Sequence, residues 1–204
     1  MIGIIDYGLG NIGSIANMLR KAGATAEIVS SPLRLEEYSK LILPGVGAFD
    51  HAMELFDASG MRAPVERLVQ EDKLPLLGIC VGMQILAQSS EEGSLPGLGW
   101  VDGRVKGFEN NPASAHLPMP HMGWNDVLPV AGSPLFKGFE DDARFYFLHS
   151  FYFDCANAGD SVARSAYGFD FDCAVRSGQV YGVQFHPEKS HHWGTALLKN
   201  FSEL

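Results

Sequence analysis

The chain has 204 residues, of which 46% are hydrophobic and 19% charged, a composition typical of one globular domain with a sizeable core. Its 24 acidic and 15 basic residues give a formal net charge of −9, which argues against a broad cationic surface for nucleic acid or anionic lipid. No stretch approaches the ~20 apolar residues that span a bilayer, and the chain opens as a strand without signal-peptide features. With three scattered cysteines, the sequence predicts a single cytoplasmic domain over residues 1–204.

In the first half of the chain, short apolar runs alternate with segments of helical spacing. Four such runs, each bounded by Gly or Pro, lie at residues 2–5, 25–29, 40–43 and 74–79. In the first helix, Asn11 is placed to cap the N-terminus and Gly23 to end the helix. This alternation predicts a parallel sheet flanked by helices.

After about Trp100 the pattern changes to runs rich in β-forming residues, separated by Gly, Pro and Asp. These runs lie at residues 100–108, 145–153, 161–167 and 180–185. We expect some of them to pair in antiparallel fashion. The proline-rich stretch 109–120 is predicted to be a loop within the domain, and a final helix from about Ser190 to Leu204 closes the fold.

The first motif, GLGNIG at residues 8–13, satisfies the GxGxxG pattern of dinucleotide-binding turns. That pattern requires an acidic residue about 20 positions further on, at the end of the second strand, to bind the ribose. Here Glu27 lies within the second strand, and Ser30 and Ser31 occupy its end. We therefore favour a tight strand-to-helix turn over a dinucleotide site and expect no cofactor.

The second motif, LLGICVGMQIL at residues 76–86, leads from a buried strand into a helix, with a glycine two residues before and after Cys80. This is the pattern of a nucleophile elbow with cysteine in place of serine. The glycines allow a sharp turn that would point the sulfur outward from the carboxyl edge of the sheet, and the helix N-terminus would favour the thiolate. The alternative is a small buried hydrophobe, which is our interpretation of Cys155 and Cys173.

A thiolate nucleophile needs a base, and VQFHPEKS at residues 183–190 offers His186 and Glu188 at the end of a β run. Pro187 keeps this segment extended. Residues two apart in an extended chain face the same way, so Glu188 can hold one ring nitrogen of His186 while the other meets Cys80. The pattern predicts a Cys-His-Glu triad; the alternative is a strand-end histidine with a purely structural hydrogen bond.

Zinc binding is the competing use of the histidines, since His191 and His192 follow closely and His149 lies upstream. However, Pro187 prevents the helical HExxH geometry, and adjacent histidines in a helix point about 100° apart. We therefore expect no metal site. The remaining histidines show no ligand spacing: His51, His116 and His121.

Seven segments, in order along nearly the whole chain, resemble the class I (triad) glutamine amidotransferases: DYGLGN at 6–11, LPGVGAF at 43–49, GICVGMQ at 78–84, SSEEG at 89–93, PHMGWN at 120–125, YFLHSFY at 146–152 and GVQFHPEKS at 182–190. Within this family, PHMGWN and LPGVGAF resemble the branch of glutaminase subunits of imidazole glycerol phosphate synthases, of histidine biosynthesis. The resemblance implies a flavodoxin-like α/β fold, with a mostly parallel sheet and additional antiparallel strands in the C-terminal half.

The resemblance also implies a mechanism of glutamine hydrolysis. Cys80 would attack the carboxamide carbon, His186 would transfer the protons, and Glu188 would orient His186. The tetrahedral oxyanion would be held by backbone N–H groups of the residue after the nucleophile and of a glycine-rich loop: Val81, with Gly45, Val46 and Gly47. Substrate glutamine would be bound at Gln84, Glu92, His149, Ser150 and Phe151.

Members of this branch dock on a (β/α)₈-barrel synthase subunit as a heterodimer and pass ammonia to it, and that subunit makes imidazole glycerol phosphate and AICAR. The positions that match partner-facing ones are Asn11, Trp124, Tyr146 and Lys189. In agreement, this sequence holds no P-loop and no evident cationic cluster for a phosphorylated substrate. Because the oxyanion loop is rich in glycine and need not be preorganised, we expect weak activity in isolation.

Three alternatives stay open at this point. The segment HPEKSHHWG and the ending LLKNF depart from many histidine-pathway members and resemble paralogues that feed ammonia to sugar amidation in surface-polysaccharide pathways. A catalytically silent scaffold is a second alternative, against which the presence of all three triad residues argues. The dinucleotide-binding protein is the third.

Overall fold

The computed structural model describes residues 1–139 and 143–204. The first half of the chain alternates strands and helices, in the order β1 (Ile2–Ile5), α1 (Ile12–Lys21), β2 (Ala26–Val29), β3 (Lys40–Gly45), α2 (Phe49–Ala58), α3 (Arg62–Gln70), β4 (Leu76–Cys80) and α4 (Val81–Gln84). The second half is mostly strands, in the order β5 (Ser89–Ser90), β6 (Gly103–Gly107), β7 (His121–Asp126), β8 (Leu128–Pro129), β9 (Arg144–His149), β10 (Phe151–Cys155), β11 (Ser161–Ala166), β12 (Asp170–Ser177) and β13 (Val180–Val183), before α5 (His191–Glu203).

The main sheet has the strand order β2-β1-β3-β4-β13-β12-β10-β6-β5, and β11 pairs with both β12 and β8. From β2 to β13 all neighbours are parallel. Beyond β13, the pairs with β12, β10 and β6 are antiparallel. Strands β7 and β9 form a separate antiparallel pair. The predicted α/β fold, with a parallel half and an added antiparallel half, is confirmed.

The central strands of the parallel half are apolar and are covered on both faces. Every residue of β1 and β4 is buried, as expected of strands between two layers. Helix α1 buries Ile15, Met18 and Leu19 at helical spacing and packs against α5, which buries Leu197 and Leu198. Within the described residues, no helix combines the length and apolarity needed to cross a membrane.

The second half differs from the sequence prediction in two places. The run predicted at 145–153 is two strands, β9 and β10, which end and begin on either side of Ser150 and belong to different sheets. Strands β7 and β12, and the two-residue strands β5 and β8, were not among the predicted runs. Strand β7 contains Gly123 and polar residues of low β propensity, so its pairing with β9, and not its composition, makes it a strand.

The other expectations for this half hold. Residues 109–120 contain no strand and only the end of a short 3₁₀ turn, Phe108–Asn110, so the loop prediction is confirmed. The final helix is α5, within one residue of the predicted bounds.

Candidate active site

Cys80 occupies a sharp turn between β4 and the single helical turn α4, with φ +56° and ψ −114°. This is a conformation that residues with a side chain rarely adopt. The backbones of β3, β4 and α4 are in contact at this turn, and only residues without a side chain fit between them. A Cβ on Gly78 would lie 2.6 Å from the Gly82 carbonyl oxygen, and a Cβ on Gly82 would collide with the Leu43 carbonyl. The prediction that these two glycines make room for the elbow is confirmed.

His186 approaches Cys80 because β13 lies beside β4 in parallel register, with Val183 opposite Ile79. The chain is extended at His186, whose φ is −102° and ψ is 97°, but Pro187–Lys189 form a 3₁₀ turn. The prediction that this segment stays extended is therefore wrong after His186, because Lys189 N–H closes a turn onto the His186 carbonyl. The Nδ1 atom of His186 lies 2.8 Å from Oε1 of Glu188, and its other ring nitrogen is left to bond with Cys80. The structure therefore brings the three predicted triad residues together.

The electrostatics of this cluster favour a protonated histidine. Burial alone lowers the pKa of His186, but hydrogen bonds with Cys80 and Glu188 outweigh burial and raise the pKa to about 10. Burial raises the pKa of Glu188, yet its bonds with His186 and Asn11 leave that pKa below its ordinary value. A cationic histidine flanked by the Cys80 sulfur and a carboxylate is suited to holding and delivering a proton.

Asn11 differs from its predicted role as a helix cap. It stands at the N-cap position of α1, but its side chain makes no capping hydrogen bond. Instead, Nδ2 of Asn11 donates to Oε1 of Glu188 at 2.9 Å. The Glu188 oxygen that bonds to His186 is therefore also hydrogen-bonded to Asn11 at the start of α1. A buried carboxylate without donors costs more free energy than an exposed helix N-terminus that water can solvate.

A cavity of about 480 Å³ opens at Cys80. Most positions predicted to hold substrate or oxyanion line it: Val46, Gly47, Val81, Gln84, Glu92, His149, Ser150 and Phe151. Gly45 is not in its wall but lies opposite Cys80 in the β3–β4 register, and a Cβ there would collide with the Gly82 backbone nitrogen. The structure thus collects the predicted substrate positions around one thiol.

The wall of the cavity carries an anionic group and a fixed amide. The Glu92 carboxylate accepts a hydrogen bond from the Phe49 backbone N–H at 2.9 Å, at the N-terminus of α2, where a negative charge is stabilised. The Nε2 atom of Gln84 lies 3.4 Å from the Phe151 carbonyl oxygen and 3.1 Å from Oε1 of Gln184. Glu92 is suited to an ammonium group, and Gln84 stands where it can contact a ligand next to Cys80.

His149 belongs to a buried histidine pair that the sequence analysis did not anticipate. His121 lies directly opposite His149 in the β7–β9 register, with its Nδ1 atom 3.0 Å from Nε2 of His149. Nδ1 of His149 lies 2.7 Å from the Phe151 carbonyl oxygen. Nε2 of His121 lies 3.2 Å from Nδ2 of Asn125. Burial lowers the pKa of His121 to about 4 and that of His149 to about 3.

This pair has one consistent assignment of protons. Because the Phe151 carbonyl only accepts, Nδ1 of His149 donates and its Nε2 accepts from Nδ1 of His121. Nε2 of His121 then accepts from Asn125. Both rings are neutral in this arrangement, in agreement with their lowered pKa values.

Three of the four positions matched to a partner surface form one patch beside the triad. Trp124 and Tyr146 are opposite each other on β7 and β9. Lys189 has its Nζ 5.6 Å from the Tyr146 ring centroid, and Trp124 stacks on His191 at 5.4 Å. The backbone N–H of His186 donates to the Tyr146 carbonyl at 2.9 Å. The fourth position, Asn11, contacts Glu188 as described above.

The other cysteines and histidines form no second centre. In the described parts of the chain, no three His, Cys, Asp or Glu side chains cluster in a way that could hold a metal. All three cysteines are unpaired. Burial and Asp172 raise the pKa of Cys155 and of Cys173, which keeps both as thiols.

The fold is shared with solved structures. A crystal structure described as a glutamine amidotransferase superposes with a TM-score of 0.76 at 24% identity, covering 99% of this chain and 97% of that one. The structure of PurLQS from Thermotoga maritima gives 0.69 at 21% identity, with coverages of 99% and 95%. These identities are low, so the likeness supports the fold alone.

Sequence relatives are much more similar. A protein of Bdellovibrio bacteriovorus named imidazole glycerol phosphate synthase subunit HisH is 59% identical, with both chains covered completely. A protein of the same name from Leptospira interrogans is 47% identical, and one named subunit HisH 2 from Pseudomonas aeruginosa is 45% identical, again with both chains fully covered. The family model described as glutamine amidotransferase class-I matches residues 3–203. This chain belongs to the class-I glutamine amidotransferase family.

Proposed function

We propose that this chain is the glutaminase subunit of an imidazole glycerol phosphate synthase, which releases ammonia from glutamine and passes it to a separate synthase subunit. The observation that carries glutamine hydrolysis is the Cys80–His186–Glu188 arrangement at the wall of the cavity. The pathway is supported by the relatives named for that enzyme, at 43–59% identity over essentially the whole chain.

In the first step, the Cys80 thiolate, paired with the protonated His186, attacks the carboxamide carbon of glutamine and forms an S–C bond. The protonated His186 gives its Nε2 proton to the amide nitrogen as the C–N bond breaks, and ammonia leaves. Glu188 keeps the ring oriented through Nδ1. The products of this step are a glutamyl thioester and neutral His186.

In the second step, His186 takes a proton from water, and the resulting hydroxide attacks the thioester carbonyl. The S–C bond breaks, which releases glutamate and restores the sulfur and the protonated histidine. Both steps pass through an oxyanion, for which we propose the backbone N–H of Val81 and a donor from the loop of Gly45, Val46 and Gly47. Loss of one such donor lowers the rate by about 10²-fold or more.

Substrate placement follows from the charges in the cavity. We place the α-ammonium group of glutamine at the Glu92 carboxylate, and its amino-acid end along the backbone of His149, Ser150 and Phe151. Gln84 lies nearer Cys80, beside the side-chain amide. This order sets the carboxamide next to the sulfur.

We place the synthase subunit, a (β/α)₈ barrel, against the patch of Trp124, Tyr146 and Lys189. Trp124 is 41% exposed, which is unusual for so large an apolar ring, and the patch adjoins the strand end that carries His186. Asn11 lines the same cavity and contacts Glu188. The heterodimer is assigned to the cytoplasm, where three unpaired cysteines are compatible with the reducing conditions.

The test is glutamate release by the purified chain alone, by the chain mixed with the synthase subunit and its nucleotide substrate, and by the Cys80→Ala variant in the same mixture. We expect weak release alone, strong stimulation in the mixture and none from the variant. Stimulation absent with a folded partner would instead favour a paralogue that serves sugar amidation. Glutamate release by the Cys80→Ala variant would contradict the assignment of the triad.

A further inference from the structure

Gln184 is a buried amide that the mechanism above does not use. It directly follows β13, its side chain has no exposed surface, and its backbone N–H donates to the Cys173 carbonyl at 2.9 Å. Its side chain reaches the nucleophile, because Nε2 of Gln184 lies 3.8 Å from Sγ of Cys80, within the longer range of hydrogen bonds to sulfur. The sequence analysis missed this residue, although it stands two positions before His186.

The orientation of the Gln184 amide is dictated by the backbone carbonyl of Phe151. Because a carbonyl oxygen only accepts, the Gln84 atom that lies 3.4 Å from it is the donor Nε2. The same Nε2 lies 3.1 Å from Gln184, so the Gln184 atom that faces it is the accepting oxygen. The nitrogen of Gln184 is then directed at Cys80.

The Phe151 carbonyl is itself held in place by the histidine pair. It accepts from Nδ1 of His149 at 2.7 Å in addition to the Gln84 amide. The Phe151 carbonyl oxygen thus determines which amide atoms donate and which accept in the series of hydrogen bonds from Phe151 through Gln84 and Gln184 to Cys80. No part of this chain of contacts changes its protonation when Cys80 reacts.

We propose that Gln184 is a further catalytic residue, whose Nε2–H donates to the Cys80 sulfur and stabilises its negative charge before attack on glutamine and on release of the thioester. The inference rests on the proposed role of Cys80 as nucleophile. A hydrogen bond to a charged acceptor is about twice as strong as one between neutral groups. Unlike His186, Gln184 keeps its protons throughout, so it holds the sulfur without competing in proton transfer.

Gln184 also links the sulfur to substrate binding. Its oxygen accepts from Gln84, which lines the cavity. A ligand that contacts Gln84 therefore acts on an amide that is one hydrogen bond away from Sγ. Because the proposed bond is to the sulfur, and glutamine itself contacts Gln84, we expect loss of Gln184 to lower kcat by a larger factor than it changes the KM for glutamine.

The experiment measures alkylation of Cys80 by iodoacetamide at pH 7, followed on the Cys80 peptide by mass spectrometry so that Cys155 and Cys173 do not contribute. Iodoacetamide lacks the amino-acid end of glutamine, so its rate reports on the sulfur and not on substrate binding. We expect Gln184→Met, which keeps the length of the side chain without a donor, to slow alkylation about tenfold. Its kcat for glutamate release in the complex should fall by a similar factor.

The matched control is Gln88→Met, since the Gln88 amide donates to Asp102 on the surface at 2.8 Å and lies outside the cavity. It should alkylate at the wild-type rate. If Gln184→Met also alkylates at that rate, the proposal is overturned and Gln184 is a structural amide. If Gln184→Met does not fold, Gln184→Leu decides: it also lacks a donor, so alkylation of its Cys80 at the wild-type rate overturns the proposal.

Failure of this inference and failure of the proposed function give different results. A wild-type complex that releases no glutamate contradicts the proposed function, whatever the alkylation rates. A wild-type complex that is active, together with a Gln184→Met variant that is fully reactive and fully active, contradicts only the role of Gln184.

Discussion

Buried histidines at the same cavity behave in opposite ways: His186 on one side, and the pair of His149 and His121 on the other. His186 is 3% exposed, and His121 and His149 are 4% and 6% exposed, so burial is nearly equal. Yet the pKa of His186 is raised to about 10, whereas those of His121 and His149 are lowered to about 4 and about 3. The difference lies in their partners. His186 faces the Cys80 sulfur and the Glu188 carboxylate. His121 and His149 face each other, and their remaining ring nitrogens face the Asn125 amide and the Phe151 carbonyl.

This contrast shows that burial does not decide whether a histidine is charged. Its hydrogen-bond partners do, and in the proposed mechanism the charged histidine transfers protons while the neutral pair holds the backbone in place. The following predictions change one side of the contrast at a time.

The largest effect is expected from removing the charged histidine. His186→Asn deletes the proton carrier, and we expect glutamate release in the complex to fall by about 10⁴-fold or more. His149→Asn, on the neutral side, should cause a far smaller loss in kcat. Steady-state kinetics of both variants, with exposed His116→Asn as the control, measure this. Comparable losses for His186 and His149 would contradict the division of roles.

The next effect comes from neutralising the carboxylate that charges His186. Glu188→Gln keeps the shape of the side chain, and we expect kcat to fall about 10³-fold, because the ring loses the group that orients and stabilises its cation. Kinetics in the complex at pH 7 provide the measurement. Retention of more than a tenth of the wild-type kcat would argue against Glu188 as the orienting group.

The same variant changes stability on the alkaline side. The folded-state pKa of His186 lies above its unfolded value of about 6.5, so its stabilising contribution is full below that pH and is lost as the pH rises towards 10. Glu188→Gln lowers the folded pKa and should reduce this loss. Urea midpoints between pH 6.5 and 9, compared with wild type, test the sign.

The neutral pair predicts the opposite pH dependence. Because the folded pKa values of His121 and His149 lie below the unfolded value, the unfolded chain binds protons first, and stability falls as the pH drops from about 6.5 towards 4. Between pH 6.5 and 5 this amounts to up to about 2 kcal/mol per histidine. His121→Gln should weaken this acid loss by at least about 1 kcal/mol in urea unfolding, whereas exposed His116→Gln should not.

The smallest effect is expected at Asn11, which does not contact His186 but donates a hydrogen bond to its partner Glu188. Asn11→Ala removes the donor to Glu188 and should lower kcat by about 5- to 30-fold. Asn17→Ala, which removes an exposed amide from the same helix, is the matched control for changes in helix stability. A helix cap would give the reverse outcome, with lower stability and unchanged kcat, so measurements of both quantities separate the two roles.

Local structure could be predicted from the sequence, whereas most contacts between distant segments could not. The strand at Ile2–Ile5, the helix after it and the elbow at Cys80 could be read from apolar spacing and glycine positions. The sequence also placed Glu188 beside His186, although the contact is made through a 3₁₀ turn at Pro187–Lys189 and not through the predicted extended segment. These features are set within a few residues of chain, where backbone geometry leaves few alternatives.

What the sequence did not reveal depends on pairing across the fold. Asn11 has the composition of a helix cap, and only the position of Glu188, 177 residues away, shows its actual partner. His121 and His149 meet because β7 and β9 pair, and β7 has no strong strand pattern. Gln184 had a signal in its place next to HPE, but its orientation depends on Phe151 and Gln84.

The backbone at Cys80 has a consequence for how such a chain changes under selection. A φ of +56° with a side chain present is a conformation that glycine adopts freely, so the nucleophile occupies a position better suited to a different residue. A library of variants screened only for heat resistance, without glutamine, should therefore enrich Cys80→Gly. The enriched proteins would be thermally stable but would release no ammonia from glutamine. We therefore expect cysteine to persist at this position only under selection for ammonia release, because folding by itself favours glycine there.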